Sequence, residues 1–252
     1  MLQVDTTVES VQEIQKNIFL LKVSAPSIGA EAKPGQFCNI KVNDNSSPLL
    51  RRPFSICEVS ADKISFMFNI VGLGTKILSK KKKGDRLNII GPLGNGFNYE
   101  GNYKNALIVA GGIGAAPFPF MLQEIDVDKH VVCFIGGRTK DDLISYKMKN
   151  ILTSTDDGSD GFHGNVVQLL KSKINEFDKS ETKIFACGPT PMLRAVSEFS
   201  IKEGIECEVS TESVMACGFG ICQGCVIKSS RENGFVLVCK DGPVFNAEDV
   251  KL

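Results

Sequence analysis

The chain has 252 residues, with 29 Lys and Arg against 29 Asp and Glu, and 42% of it is hydrophobic. That length can bury a sizeable core and suits two domains. The balanced charge points away from nucleic acid and anionic membranes, and no apolar run approaches transmembrane length.

The N-terminus, Met1-Leu2-Gln3-Val4-Asp5, has no basic segment followed by an apolar one, so no signal peptide is expected. The first hundred residues read as β. Phe19 to Val23, Phe37 to Val42, Leu49 to Glu58, Ile64 to Val71 and Arg86 to Ile90 are short runs rich in β-branched and aromatic residues. Turn clusters such as residues 43–48 separate them, which predicts a small closed barrel. A helical turn is expected after Gly72-Leu73-Gly74-Thr75, and Gly91-Pro92-Leu93-Gly94-Asn95-Gly96 reads as a boundary.

Beyond Asn105 strands alternate with helices. Strands are expected at Ala106 to Ala110, Val131 to Ile135, Ile151 to Thr155 and Ile184 to Ala186, and helices up to about Glu124, over Val166 to Ile174 and over Pro191 to Glu203. This is the pattern of a doubly wound parallel sheet with crossovers. From Cys207 onward no long periodic helix appears, and the tail reads as a small loop-and-strand appendage. The fold class is therefore a β-barrel plus an α/β unit with a small C-terminal subdomain. The expected divisions are 1–98, 99–205 and 206–252.

The tail carries the strongest chemical signal. Cys217, Cys222, Cys225 and Cys239 follow the spacing C-x4-C-x2-C and then C-x13-C. That is the plant-type ligand run for a 2Fe–2S cluster. Gly218, Gly220 and Gly224 let the backbone approach and permit positive φ, and the exposed N–H groups can donate to cluster sulfurs. A structural zinc site usually shows two close Cys pairs, and here only Cys222 and Cys225 form one. The other five of the nine cysteines are scattered, which fits reduced thiols in the cytoplasm.

Three further places invite ligands. Arg51-Arg52-Pro53-Phe54-Ser55 offers a pyrophosphate clamp, a stacking ring and a hydroxyl. Side chains alternate along a strand, so one of the two arginines must face a surface or groove; an ordinary solvated edge strand is the alternative. Gly74 and Thr75 could meet the same pyrophosphate, or simply form a glycine turn. Gly112-Ile113-Gly114 with Pro117, between a strand and a helix, suits a dinucleotide pyrophosphate but lacks the third glycine. Cys187-Gly188-Pro189 ends a strand, where ligands bind in such sheets, so Cys187 could lie against a nicotinamide or be a buried small residue. Asp156 and Asp157 could accept from a ribose 2′-hydroxyl and favour NAD over NADP, or belong to a polar loop.

In this order the motifs resemble the ferredoxin–NADP reductase superfamily. Arg52-Pro53-Phe54-Ser55 resembles its flavin signature, Gly91-Pro92-Leu93-Gly94 its inter-domain motif, and Gly112-x-Gly114-x-x-Pro117 and Cys187-Gly188-Pro189-x-Pro191-Met192 its pyridine-nucleotide motifs. The cysteine loop narrows the resemblance to electron-transfer subunits of type B dihydroorotate dehydrogenases. The resemblance implies that Arg52, Pro53, Phe54, Ser55, Gly74, Thr75 and the second flavin strand, Phe68-Asn69-Ile70, hold FAD. The family often has a basic residue where this chain has Asn69. It also implies an FMN-containing catalytic partner, in a heterotetramer of two of each, that oxidises dihydroorotate in pyrimidine biosynthesis while this subunit passes electrons through 2Fe–2S and FAD to NAD. A flavin–iron–sulfur subunit of another complex, of sulfhydrogenase or glutamate-synthase transhydrogenase type, is the nearest alternative. A zinc-stabilised binding module is the alternative of another class. Residue economy favours a relay. Flavin joins the two-electron chemistry of NAD to a one-electron cluster, and no segment is left over for an organic substrate.

Overall fold

A computed structural model describes residues 1–45, 47–231 and 234–252. Ser46 of the expected turn at 43–48 lies outside the described residues. The first unit runs β1 (Leu2–Gln15), β2 (Ile18–Ser24), α1 (Pro26–Glu31), β3 (Phe37–Lys41), β4 (Arg52–Ser60), β5 (Lys63–Asn69), α2 (Leu73–Leu78) and β6 (Arg86–Leu93). The strands close an antiparallel barrel in the order β1-β2-β5-β4-β3-β6. Closure depends on β1, which pairs with β2 through its second half and with β6 through its first. This strand was not anticipated. Leu21, Ile40, Ile56, Ile64 and Phe66 fill the barrel and are fully buried.

The second unit runs β7 (Asn105–Gly111), α3 (Phe118–Glu124), β8 (His130–Gly137), β9 (Ile151–Thr155), β10 (Phe162–His163), α4 (Val166–Lys173), β11 (Thr182–Cys187), α5 (Thr190–Glu203) and β12 (Glu206–Ser210). Six of these strands lie parallel in the order β10-β9-β8-β7-β11-β12. The central β7 and β11 are buried along nearly their whole length, as a strand covered on both faces must be. Asn165 caps α4: its side chain accepts from the Gln168 N–H at 3.0 Å, and the Gln168 side chain accepts from the Asn165 N–H at 2.9 Å. The expected division after residue 205 cuts this sheet, because Glu206–Ser210 is its sixth strand.

The tail carries β13 (Val226–Ser229), β14 (Phe235–Leu237), β15 (Val244–Asn246) and β16 (Val250–Lys251). β13, β14 and β16 form a small antiparallel sheet, and β15 returns to pair with β12. The cysteine loop is therefore tied at its far end to the nucleotide sheet. Barrel and sheet are joined by several specific contacts. Phe97, just past the boundary motif, stacks on Phe118 and meets Phe185 edge-on. The buried Glu58 of β4 accepts from the Tyr146 hydroxyl at 3.0 Å and pairs with Lys147. No helix among the described residues is long and apolar enough to cross a membrane.

Candidate functional site: a flavin slot, a nucleotide groove and a cysteine loop

The barrel strand β4 and the carboxyl end of β11 meet at a narrow slot of about 110 Å³. Pro53, Phe54 and Ser55 line one side, and Cys187 with Ser210 to Ser213 and Met215 the other. The two arginines before the slot diverge. Arg51 is spent on the barrel, donating to the Asn88 carbonyl at 2.9 Å and to the Asn88 side chain. Arg52 lies over the start of α2, where a Cβ on Gly74 would stand 3.0 Å from its Nε. Among the described residues Arg52 donates only through Nη1, to the carbonyls of Leu50 (2.7 Å) and Arg51 (3.2 Å). Its Nε and Nη2 are left for a phosphate, and Gly72 beside it has nothing within 4 Å of a Cβ position. This open cradle with an under-used guanidinium fits the pyrophosphate of FAD.

The remaining residues of the expected flavin set surround this cradle in different ways. The Thr75 hydroxyl accepts from the N–H groups of Val71 (3.0 Å) and Gly72 (3.2 Å) and so shapes the turn itself. Asn69 lines the neighbouring groove, and Phe68 is buried beneath Phe54 with ring centroids 5.6 Å apart. Phe68 thus supports the Phe54 ring from below. Ile70, half-buried, only leads out of β5. Replacing Arg52 with Ala should weaken FAD by roughly tenfold or more, from loss of a charge-assisted bond of about 1.5–3 kcal/mol. Flavin and iron content per chain measure this: flavin should fall and cluster iron should stay.

Across the carboxyl ends of β7, β8 and β9 runs a groove of about 610 Å³. Gly111, Gly112 and Ile113, Gly136 to Arg138, Asp156, Pro189 and Met192 line it from the sheet side. Lys16, Asn17, Ile18 and Asn69 line it from the barrel side. Gly112 has φ +53° and open space where a Cβ would be, so a ligand can approach its backbone. Gly114 is different: a Cβ there would lie 2.5 Å from the Cys187 carbonyl carbon and 2.6 Å from Cα of Gly188. It brings the two strand-end loops together and contacts no ligand space. Gly188 likewise packs on Met192 and Gly111. Pro117 is buried at the N-terminus of α3, which begins only after a 3₁₀ turn over Gly112–Ala115. Of the two carboxylates, Asp156 reaches the groove, whereas Asp157 is held below the usual carboxylate range by the Ser159 hydroxyl and by the Ser159 N–H, which donates to it at 2.9 Å.

Cys187 is 4% exposed, and burial pushes its thiol up to about 12. It is a neutral, close-packed group at neutral pH, suited to lie against rings and unsuited to nucleophilic or proton chemistry. Glu212 and Arg138 join the site without belonging to any of the expected motifs. Glu212 lines the flavin slot, and although part of it meets solvent, burial raises its carboxyl above the usual range. Arg138 lines the groove directly after Gly136-Gly137. A charged residue following a glycine pair at a strand end was the available signal.

The segment from Ser210 to Met215 leaves the slot and runs straight into Cys217. Gly218 and Gly220 have φ of +82° and +91°, as their role in the loop demands, while Gly224 is not in the left-handed region. The Gly220 N–H donates to Cys239 Sγ at 3.1 Å, Cys222 N–H to Cys217 Sγ at 3.4 Å, and Cys239 N–H to Cys225 Sγ at 3.4 Å. The thiols fall into an outer pair and an inner one. Cys222 is exposed and Cys217 half-buried, whereas Cys225 and Cys239 are each 2% exposed. Burial pushes the Cys217 thiol up, but the donors of Cys222, Phe219 and Ile221 outweigh it and bring it down to about 6. Burial and the neighbouring Cys225 push Cys239 up to about 12. Among the described residues no three His, Cys, Asp or Glu side chains converge on one ion position. Two thiol pairs with inward amide donors fit a binuclear 2Fe–2S cluster better than a single zinc ion. From the barrel, the Asn39 side-chain amide holds the Cys217 carbonyl at 3.1 Å, and the Asn95 side chain holds the Asp241 carbonyl at 2.9 Å.

Comparison with known proteins agrees with this geometry. Residues 212–251 match the iron–sulfur cluster binding domain of dihydroorotate dehydrogenase B, and residues 108–198 match the oxidoreductase NAD-binding domain. The chain is 37% identical to the electron transfer subunit of dihydroorotate dehydrogenase B (NAD(+)) of Desulforamulus reducens, over 96% of this chain and 95% of that one. It is 37% identical to the subunit of the same name from Caldanaerobacter subterraneus, over 88% of each. Among solved structures it is similar to an NADH-dependent reduced ferredoxin-NADP oxidoreductase, with a TM-score of 0.85 and 29% identity over 98% of this chain and 89% of that one. The fold is also that of a ferredoxin NADP+ reductase from Neisseria gonorrhoeae, with a TM-score of 0.66 and 17% identity over 80% of this chain and 92% of that one.

Proposed function

Because this chain belongs to the family of electron-transfer subunits of NAD(+)-dependent dihydroorotate dehydrogenase B, we propose that it carries electrons from dihydroorotate, oxidised on an FMN-containing catalytic subunit, to NAD+ by way of a 2Fe–2S cluster and FAD. The observation that carries this reading is the continuity of the three sites. Pro189 of the nucleotide groove lies two residues past Cys187 of the flavin slot, and the slot residues Thr211, Glu212, Ser213 and Met215 lead in sequence to the first cluster ligand. The complex is a heterotetramer of two of each subunit, and it works in the cytoplasm in pyrimidine biosynthesis. Cys217, Cys222, Cys225 and Cys239 hold the cluster, Arg52, Phe54 and Ser55 hold FAD, and Gly112, Asp156 and Pro189 border NAD. When bound, FAD supplies the exchange between two-electron and one-electron carriers. Neutral Cys187, buried in the slot wall, would help to exclude water from a flavin ring held there. The amides of Gly220, Cys222 and Cys239 steady the ligand sulfurs. The similarity to the ferredoxin-NADP oxidoreductase, at 29% identity, is weaker than that to the dehydrogenase subunits, so the dehydrogenase assignment is preferred.

The catalytic subunit docks at the outer face of the cysteine loop. Ile221, between two cluster ligands, is 76% exposed, and Val214 is 87% exposed. Phe219 packs against the core beside the loop, so it belongs to the fold and is no probe of docking. Replacing Ile221 with Glu should weaken assembly, measured by co-elution with the FMN subunit, and lower dihydroorotate-to-NAD+ turnover. NADH oxidation by an artificial acceptor at the flavin should persist. Unchanged assembly and turnover would place the docking face elsewhere.

A further inference from the structure

We propose that Lys16, on the barrel, binds the pyrophosphate of NAD(H), so that the dinucleotide is gripped by both units at once. The inference rests on the groove being the NAD site and adds a barrel residue to it. Lys16 and Asn17 form the tip of the β1–β2 hairpin, where Gln15 pairs with Ile18. The register slips between Glu13 and Gln15, and such a bulge re-aims the strand end beyond it. The tip is fixed in its new direction. Asn17, at φ +61°, donates its N–H to the Glu13 carboxylate at 2.7 Å, and the Gln15 side chain donates to the Asp141 carbonyl at 2.8 Å on the loop after β8. This places Lys16 in the groove wall facing the sheet.

Its place along the groove follows from the sheet. The strands β11, β7, β8 and β9 are consecutive neighbours. At about 4.8 Å per strand, the ends of β11 and β9 are about 14 Å apart. Cys187, at the end of β11, belongs to the flavin slot and marks the nicotinamide side, whereas Asp156, just past β9, marks the ribose side. Between them glycines at the ends of β7 and β8 leave the backbone bare, and the barrel hairpin hangs above. Charge makes the assignment sharper. Asp141, Asp142 and Asp156 line the groove, and a doubly charged pyrophosphate among three carboxylates requires a cation. The lining cations are Lys16 and Arg138. The Arg138 carbonyl accepts from the Asp157 N–H at 3.1 Å, which sets Arg138 beside the ribose end. Lys16 is left for the middle, and among the described residues it makes no ion pair.

The test uses the chain loaded with FAD and cluster, titrated with ADP-ribose, which contains the pyrophosphate, and with adenosine, which lacks it. Lys16 is exposed, so substitutions there should not disturb folding, and flavin content per chain checks this. Lys16→Gln should weaken ADP-ribose about tenfold or more, the loss of one charge-assisted bond, and leave adenosine unchanged. Lys16→Arg should restore affinity, and added salt should weaken wild type more than Lys16→Gln. The proposal is overturned if Lys16→Gln binds ADP-ribose as tightly as wild type, or if it loses adenosine by the same factor. If wild type binds neither ADP-ribose nor NADH, the groove is not the NAD site and the inference falls with it.

Discussion

Replacing Cys222 with Ala should give a folded, flavin-bearing protein that no longer holds a stoichiometric 2Fe–2S cluster. The position is exposed, so no core packing is lost with the thiol. What is lost is half of the outer ligand pair and the sulfur beside Cys217. Structural metal centres contribute directly to the order of the loops that bind them, so the loop around Gly218 and Gly220 should loosen as the cluster leaves. Iron and acid-labile sulfide analysis should show near-complete loss. Coupled transfer from dihydroorotate to NAD+ should vanish, while reduction of an artificial acceptor by NADH at the flavin continues. Full iron content in this variant would mean that the four thiols are not the ligand set.

Replacing Gly114 with Ala should have the second largest effect, and at the opposite end of the relay. The added methyl has no space to enter, because the Cys187 carbonyl carbon and Cα of Gly188 lie 2.5 and 2.6 Å from the Cβ position. Both obstacles are backbone, so no side-chain rotation relieves the clash. The loops at the ends of β7 and β11 must part, which moves Cys187 and Pro189 together. A misplacement of about 1 Å at a reacting centre costs on the order of 10²-fold. Hydride exchange between NADH and FAD, followed by stopped-flow flavin bleaching, should slow by that order. FAD and iron content should stay near wild type, since neither Arg52 nor the cysteine loop touches Gly114. Wild-type bleaching rates in Gly114→Ala would remove this loop contact from the nucleotide site.

How much was legible in the sequence depended on how local the chemistry is. The cysteine loop could be read outright, because ligand spacing and glycines within one loop encode the cluster's requirements with little help from the rest of the chain. The central strand over Ala106–Ala110 is legible for a similar reason, since a strand buried on both faces is an unbroken apolar run. By contrast β1 was hidden. Its burial is confined to positions such as Thr6 and Val8, and charged residues interrupt it, because most of its other face meets solvent. The strand β12, between β11 and β15, was hidden by Glu206 and Glu208, whose partner is the buried Lys183 of β11. Residues that reach the site only through tertiary packing gave no sequence signal: Glu212 arrives from the segment before the cluster, and Lys16 from a hairpin tip. Thr75 and Phe219 show the converse: their chemistry is plain in the sequence, but not that the Thr75 hydroxyl also shapes its turn and that Phe219 packs partly buried against the core.

The central claim is that this chain is a relay whose electrons from dihydroorotate arrive only through a partner. Anaerobic titration of the isolated chain, followed by visible absorbance for FAD and by electron paramagnetic resonance for the cluster, tests it most directly. NADH should reduce both centres in the isolated chain, and dihydroorotate should reduce neither until the FMN-bearing subunit is added, after which both should respond. Reduction of the isolated chain by dihydroorotate, or a silent cluster in the assembled complex, would contradict the account.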